Sequence, residues 1–258
     1  MRNVCISVII VFLWLGQQPV FAHFGMVIPS ANVVTATGDR TVRLQLSFSH
    51  PFDGLGMDLA RPNLVVYGLD GARKDLSRRL KPVTFWKKRA WQADYLMTRP
   101  GAHWFVMTPQ PYWEMAEDCF IIHYTKTLVV AFGDDEGWGR ELGLKTEIVP
   151  LSNPASLYQG NVFQGMVKVD GKSVPFARVE IEYFNREGNV RLAAGGFSAQ
   201  TVKADPNGIF SYSTPAPGWW GFAALNTADY RLKKGKADKQ VELGAVIWVQ
   251  FHKWMAGK

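Results

Sequence analysis

The stretch Thr41-Val-Arg-Leu-Gln-Leu-Ser-Phe48 decides the fold. Its apolar residues, Val42, Leu44, Leu46 and Phe48, alternate with polar ones. Because successive side chains of a β-strand point to opposite faces of a sheet, this alternation is typical of a strand with one buried face. The stretch therefore predicts a sheet that is covered on one side, as in a β-sandwich.

Similar short apolar segments recur along the chain, separated by turns rich in Gly, Pro and Asp. Further strands are predicted at residues 64–67, 91–97, 104–107, 119–124, 128–132, 165–169, 179–183, 210–212 and 244–249. Residues 55–61 predict one short helical turn. Strands at this spacing, with turns between them, favour an all-β fold over a helical one.

The composition agrees with this interpretation and sets the number of domains. Of 258 residues, 47% are hydrophobic and 20% charged, which excludes wholesale disorder, a collagen and a coiled coil. Residues 147–154 contain two prolines among polar residues and predict a linker. We therefore predict two immunoglobulin-like β-sandwich domains, residues 23–150 and 157–258, joined by a short Pro-containing linker.

The first 22 residues have the plan of a signal peptide. Arg2 precedes an apolar run over residues 8–15, and Ala22 provides a small residue for cleavage. The run is short for a membrane span, although an N-terminal membrane anchor is the alternative interpretation. Cleavage would leave Cys119 as the single cysteine, so no internal disulfide is expected. We predict a periplasmic protein.

The positive charge is spread along the chain. The formal net charge is +7, with short basic clusters at residues 78–81, 87–89 and 231–234. Binding of nucleic acid would require a concentrated basic stripe, so these clusters are predicted to be solvated surface.

The five histidines are the main candidates for chemistry. Cleavage after Ala22 would make His23 the first residue, and its α-amine and imidazole would then close a chelate ring around a transition metal ion. Such a chelate needs no preformed pocket, and a ligand on a flexible lead would exchange its ion readily. The alternative is that cleavage leaves a histidine first without a role for it.

The other histidines have weaker signals. His50 ends the strand that begins at Thr41, on its buried face, and either binds a metal or forms a hydrogen bond to a loop. His123 lies at the end of an apolar run, and the residues alone favour a structural role for it over that of a ligand. His103 and Glu114 are candidates for orienting a metal ligand through a hydrogen bond. His252 is predicted to lie on the surface or in the C-terminal tail.

Eleven short strings together resemble a known family. They are Ala22-His-Phe, Ile28-Pro-Ser, His50-Pro-Phe, Pro111-Tyr-Trp-Glu, Ala116-Glu-Asp, Ile121-Ile-His-Tyr-Thr-Lys, Glu136-Gly-Trp, Glu147-Ile-Val-Pro, Gly160-Asn-Val-Phe, Asp170-Gly-Lys and Gly218-Trp-Trp-Gly-Phe-Ala-Ala. Across nearly the whole mature chain they resemble the nickel/cobalt-uptake-associated periplasmic proteins (NikK-like). The second half resembles transthyretin-like, carboxypeptidase-regulatory-like sandwiches. Met115 and Cys119 depart from the family's pattern without touching a proposed ligand.

The resemblance implies a carrier rather than an enzyme. It implies capture of Ni²⁺ or Co²⁺ by His23, His50 and His123. The ion would be delivered to an energy-coupling-factor-type nickel/cobalt permease or to an outer-membrane uptake system. Because Cu²⁺ outcompetes Ni²⁺ at nitrogen donors, a copper carrier remains an alternative. A copper oxidative enzyme with an N-terminal histidine brace is another. A carbohydrate-binding module that stacks sugars on Trp113, Trp219, Trp220 and Trp248 is a third.

Overall fold

The computed structural model describes residues 23–193 and 197–255, and the predicted signal peptide lies outside these ranges. Within them the regular structure consists almost entirely of strands, with a short 3-10 turn at Ser77–Arg79. The described ranges contain no helix with the length and hydropathy that crossing a lipid bilayer requires.

The strands of the first half run from β1 to β11. They are β1 Phe24–Pro29, β2 Val33–Val34, β3 Thr41–His50, β4 Leu55–Met57, β5 Asn63–Tyr67, β6 Arg73–Asp75, β7 Lys81–Phe85, β8 Lys88–Leu96, β9 Gly101–Thr108, β10 Tyr112–Glu114 and β11 Cys119–Ala131. The second half continues with β12 Thr146–Pro150, β13 Val162–Val169, β14 Lys172–Ser173, β15 Arg178–Tyr183, β16 Ala199–Lys203, β17 Ile209–Ser213, β18 Gly218–Thr227, β19 Leu232–Lys234, β20 Ala237–Lys239 and β21 Val241–Phe251.

One long sheet passes through both halves. Its path is β16-β15-β18-β21-β11-β9-β5-β6, with β2 and β10 added beside β11. The halves meet where β11 and β21 pair in parallel, from Phe120 opposite Val241 to Thr127 opposite Trp248. A sheet of β1, β3, β8, β7 and β4 and a sheet of β12, β13, β14 and β17 complete the main framework.

Two main apolar cores lie between these layers. In the first, Leu44 and Leu46 of β3 pack with Phe105 of β9. In the second, Phe163 of β13 packs with Phe222 of β18. The predicted all-β fold of β-sandwiches is confirmed, whereas the boundary between residues 150 and 157 stays a prediction because a shared sheet runs across it.

The predicted strand at residues 41–48 is β3, and all four of its alternating apolar residues are buried. Residues 55–61 do not form the predicted helical turn. Leu55–Met57 is instead strand β4, because it pairs with the end of β3 between Phe48 and His50. Backbone hydrogen bonds to a neighbouring strand have outweighed local preference here.

The predicted breaks at residues 125–127 and 147–150 are also strands. Lys126 looks like a break in an apolar run, yet it is buried in β11 with Nζ 3.6 Å from Glu147 Oε2. Burial lowers the pKa of Lys126 to about 8. Glu147 lies in β12, which pairs with β13 of the second half, so residues 147–150 are part of a strand and not of a linker. A buried charge can lie within a strand when an opposite charge is buried beside it.

Candidate functional site

Three candidate side chains meet at one end of the first sandwich. His23 directly precedes β1, His50 is the last residue of β3, and Glu114 is the last residue of β10. Since β1 and β3 are antiparallel, with Phe24 opposite Ser49, the start of one lies beside the end of the other. The register of this strand pair therefore brings His23 next to His50.

The ring of His23 lies among three neighbours. Its centroid is 4.7 Å from that of His50, and it stacks on Phe48 with a centroid separation of 5.7 Å. Its Nε2 lies 3.0 Å from Glu114 Oε2, and both side chains are largely buried, 11% and 14% exposed. Burial, followed by the nearby rings of His50 and His123, lowers the pKa of His23 to about 4.

The lowered pKa fixes the chemistry of His23. Because the ring is neutral at pH 7, Nε2–H donates to Glu114 and Nδ1 keeps its lone pair. Histidine ligands of metals commonly donate their second ring N–H to a carboxylate, which orients the ring. Glu114 thus has the contact that orients His23, and Nδ1 has the state of a metal ligand.

His123 has both ring nitrogens engaged. Gly25 N–H donates to Nδ1 at 3.2 Å, and Nε2 lies 3.1 Å from Glu242 Oε1. Gly244 lies opposite His123 on β21, and a Cβ at Gly244 would overlap the ring. A Cβ at Gly25 would overlap Thr125. These two glycines therefore allow the ring to lie tightly between β1 and β21.

The second half of the chain holds β1 in place. Trp248 of β21 donates its indole N–H to Gly25 O at 2.8 Å, and its ring packs edge-on against Phe24. Phe24 is fully buried. The prediction that His23 lies on a flexible lead is therefore wrong for its neighbour Phe24. A buried aromatic contact and a hydrogen bond hold β1 from its first residue.

The loop after His50 is held in the same way. Glu182 Oε2 accepts Phe52 N–H at 3.3 Å, and Asn185 Nδ2 donates to Phe52 O at 3.2 Å. Asn185 N–H also donates to Pro51 O. Burial raises the pKa of Glu182 to about 8. The second half thus positions both chain segments that carry the histidine pair.

Sequence analysis missed Glu182 and Glu242. Each is an acidic residue in an apolar strand, with a pattern indistinguishable from solvent-facing alternation. Their place near the histidines depends on β15, β18 and β21 lying beside β11 in the shared sheet, and no local signal carries that arrangement.

The remaining histidines lie apart from this end. His103 is opposite Val129 on β11, six residues beyond His123, which is roughly 20 Å along a strand. Its Nδ1 is 3.1 Å from Gly101 O. His252 Nε2 is 3.2 Å from Asn32 Nδ2. The structure therefore brings Glu114 to His23, as expected of a supporting residue, and places His103 elsewhere.

The tryptophans considered for sugar stacking serve other purposes. Trp220 and Trp248 are buried in the cores, and half-buried Trp219 packs against the cluster around Phe24. Trp113 is half-buried and faces Lys234 Nζ, which lies 4.8 Å from its ring centroid. The interpretation as a stacking platform is wrong for the buried pair, because no sugar reaches them.

Among residues 23–193 and 197–255, no three His, Cys, Asp or Glu side chains form a ready-made metal cluster. What the first sandwich does provide is a pair of neighbouring imidazoles, one of them neutral and oriented by a carboxylate. A third donor would have to come from outside these side chains.

The fold and this site define an all-β protein of stacked sandwiches with a histidine pair at one end. The chain belongs to the family described as a domain of unknown function, DUF4198, whose model matches residues 20–228. No functionally curated protein matches the sequence at a significant level.

Solved structures with a similar overall course are also built of β-domains. The D0-D1 domain of Intimin is 12% identical, with a TM-score of 0.25 over 87% of this chain and 99% of its own. Fibronectin(III)-like modules of Clostridium thermocellum CbhA are 8% identical, with a TM-score of 0.23 over 90% and 99%. A DUF4785 family protein of Legionella pneumophila is 10% identical, with a TM-score of 0.31 over 77% and 52%. At these values the likeness carries no argument about function.

Proposed function

We propose that this protein binds a divalent transition metal ion, Ni²⁺ or Co²⁺, in the periplasm and passes it to a membrane uptake system. The observation that carries the proposal is the contact between His23 and His50, with Glu114 hydrogen-bonded to His23. The resemblance to nickel/cobalt-uptake-associated proteins supports the choice of cargo and of a permease as partner.

The ligand set that fits this geometry has three nitrogens. His23 Nδ1 keeps its lone pair because Nε2–H is held by Glu114. Removal of residues 1–22 would add the α-amine of His23, which closes a chelate ring with Nδ1. A ring nitrogen of His50 would complete the set, and nitrogen donors of this kind suit Ni²⁺, Co²⁺ and Cu²⁺.

In this proposal His123 is not a ligand; its ring holds the backbone next to the site. Using it as a ligand would require breaking its hydrogen bond with Gly25 or its contact with Glu242. Kept as it is, the ring fixes the backbone two residues from the ligand. The expected set of three histidine ligands therefore stays a prediction, and the variant His123→Asn tests it.

The decisive experiment is calorimetric titration of Ni²⁺ into two proteins that differ by one residue. One begins at His23 and the other at Ala22, so only the first has the α-amine on the ligand. We expect the retained Ala22 and the variants His23→Ala and His50→Ala each to weaken binding at least about tenfold, since each removes a donor.

His252→Ala is the matched control, because it removes a histidine that bonds to Asn32 at a different place. It should leave the affinity unchanged. Equal Ni²⁺ affinity of the two proteins that begin at His23 and Ala22 would disprove the chelate. Absence of heat with Ni²⁺, Co²⁺ and Cu²⁺ would disprove metal binding altogether.

One observation favours a copper enzyme as the second candidate. With His123 engaged on both nitrogens, removal of residues 1–22 would leave two imidazoles and the terminal amine as donors, which is the donor set of a histidine brace. Ascorbate-dependent oxygen consumption by the Cu²⁺-loaded protein, abolished in His50→Ala, would establish this alternative. If the Cu²⁺-loaded protein consumes no more oxygen than the metal-free protein, the metal carrier remains the proposed function.

A further inference from the structure

Two adjoining clefts lie on the side of the β1-β3-β8-β7 sheet that faces away from the first core. Their volumes are about 560 Å³ and 370 Å³, and both are lined by Arg43 and Gln92. The shared lining residues place the two clefts side by side, and we call the pair the trough. Four strands at a spacing of about 4.8 Å give the sheet a width of roughly 14 Å, so the trough extends over several residues in each direction.

Cationic side chains from three distant parts of the sequence line this trough. They are Arg43 of β3, Arg78 and Arg79 of the 3-10 turn, Lys81 of β7, and Arg186 after β15. Asp94 is the lining carboxylate, and it is bonded to Arg43 at 3.0 Å. Glu187 lies 3.6 Å from Arg186 at one margin. The trough therefore has a strong excess of positive charge.

A pair of amides lies in the floor of the trough. Gln45 and Gln92 are directly opposite each other on β3 and β8. Gln45 Nε2 is buried without a hydrogen-bond partner among the described residues. A buried donor without an acceptor is unfavourable, so a turn of this amide toward a ligand oxygen in the trough would satisfy it.

We propose that this trough binds an acidic polysaccharide, with carboxylates on the arginines and sugar hydroxyls on the two glutamines. Arginine pairs with carboxylates through two parallel hydrogen bonds, and an amide both donates to and accepts from hydroxyl groups. The hydroxyls of Ser30 and Thr84 add further partners along the same trough. This surface is independent of the histidine pair and of the proposed metal.

The shape and composition of the trough favour a saccharide over the other polyanions. Binding of single-stranded nucleic acid relies on exposed aromatic rings, whereas the one aromatic ring that lines the trough, Phe85, already packs against Trp86. A lipid surface would be met by a convex patch with protruding apolar residues, whereas this surface is concave and carries several charged side chains. A sugar hydroxyl can use both the donor and the acceptor of each amide, whereas a phosphate oxygen can use only the donor.

The test is binding of polygalacturonate to the whole protein, measured by biolayer interferometry at two salt concentrations. The double variant Arg78→Ala/Arg79→Ala should weaken binding at least about tenfold, since each arginine contributes a charged hydrogen bond. The matched control Arg231→Ala/Lys236→Ala removes the same charge from exposed positions elsewhere and should change binding little.

Three further probes separate the amides from bulk charge. Gln92→Ala should weaken binding of polygalacturonate more than binding of polyphosphate, since only the sugar uses both the donor and the acceptor of the amide, and neutral dextran should not bind. Equal losses in the trough variant and the control variant would overturn the proposal. So would tighter binding of phosphatidylglycerol vesicles, single-stranded DNA or polyphosphate than of polygalacturonate, or no binding of polygalacturonate at all.

Discussion

The first sandwich has a histidine at each end, and the two ends differ in what surrounds them. At one end, His23 lies against His50 and Glu114. At the other, His103 lies in a cleft of about 270 Å³ beside Tyr95, with ring centroids 6.2 Å apart. Burial lowers the pKa of both His23 and His103.

The difference is the contribution of the second half of the chain. All residues that line the His103 cleft lie between Val66 and His103. At the His23 end, Trp248 and Glu182 from the second half hold the two segments that carry His23 and His50. A neutral buried histidine is thus common to both ends, whereas a second imidazole held beside it is a product of the shared sheet.

Removal of Trp248, which holds β1 in place, should have the largest effect. Trp248→Ala should lower the free energy of unfolding by about 3 to 5 kcal/mol, because it empties a fully buried indole position. It should also abolish Ni²⁺ binding, since Gly25 O loses its donor. Trp104→Ala is the control, as Trp104 is equally buried and bonded to Gly137 O. Urea unfolding and calorimetry should show similar destabilisation but retained Ni²⁺ binding in the control.

A smaller effect is expected from crowding His123. Gly244→Ala should cost about 1 to 3 kcal/mol of stability, because the added methyl overlaps the His123 ring and displaces it from Gly25. Ni²⁺ affinity should fall with it. Gly139→Ala is the control, since its Cβ would be 4.0 Å from the nearest atom. Identical thermal stabilities of the two variants would refute the tight placement of the ring.

The buried carboxyl of Glu182, which holds the loop after His50, should also make the stability of the protein depend on pH. Burial raises the pKa of Glu182 from 4.5 to about 8. Between these values the folded state holds a proton that the unfolded carboxyl has lost, so this group's contribution to stability falls as the pH rises. Glu182→Gln should therefore be more stable than wild type at pH 8, by at least about 1 kcal/mol, and similar at pH 5.

Glu187→Gln serves as the control for this measurement. It replaces the same type of side chain, but at a position that is largely exposed. Its stability should follow that of the wild type across the pH range. If Glu182→Gln keeps the wild-type slope between pH 5 and pH 8 in urea titrations, the buried carboxyl does not hold its proton.

The smallest effect is expected at the end of the first sandwich where His103 lies. His103→Ala should change Ni²⁺ affinity by no more than about twofold, because His103 lies roughly 20 Å along the sheet from His123. Calorimetric titration beside His50→Ala, where at least a tenfold loss is expected, measures the contrast. A large loss in His103→Ala would show that the two ends are coupled.

The candidate site was predictable in part. The alternation before His50 places that residue on the buried face of β3, and His23 is conspicuous because it follows Ala22. The engaged state of His123 was not predictable, because Gly25 and Glu242 reach it only through strand pairings distant in sequence. The same holds for Arg186, which joins Arg43 in one trough.

The sequence by itself determined those strands whose apolar residues alternate, such as β3, since two-residue periodicity is a local property that each segment carries alone. It also determined which residue types are available for metal chemistry, with His23 and His50 foremost. Only the tertiary structure decided that the two halves share one sheet through β11 and β21, and that Glu182 and Trp248 therefore hold the histidine pair. The physical reason is that strand pairing between distant segments depends on the packing of whole faces, and no single segment contains that information.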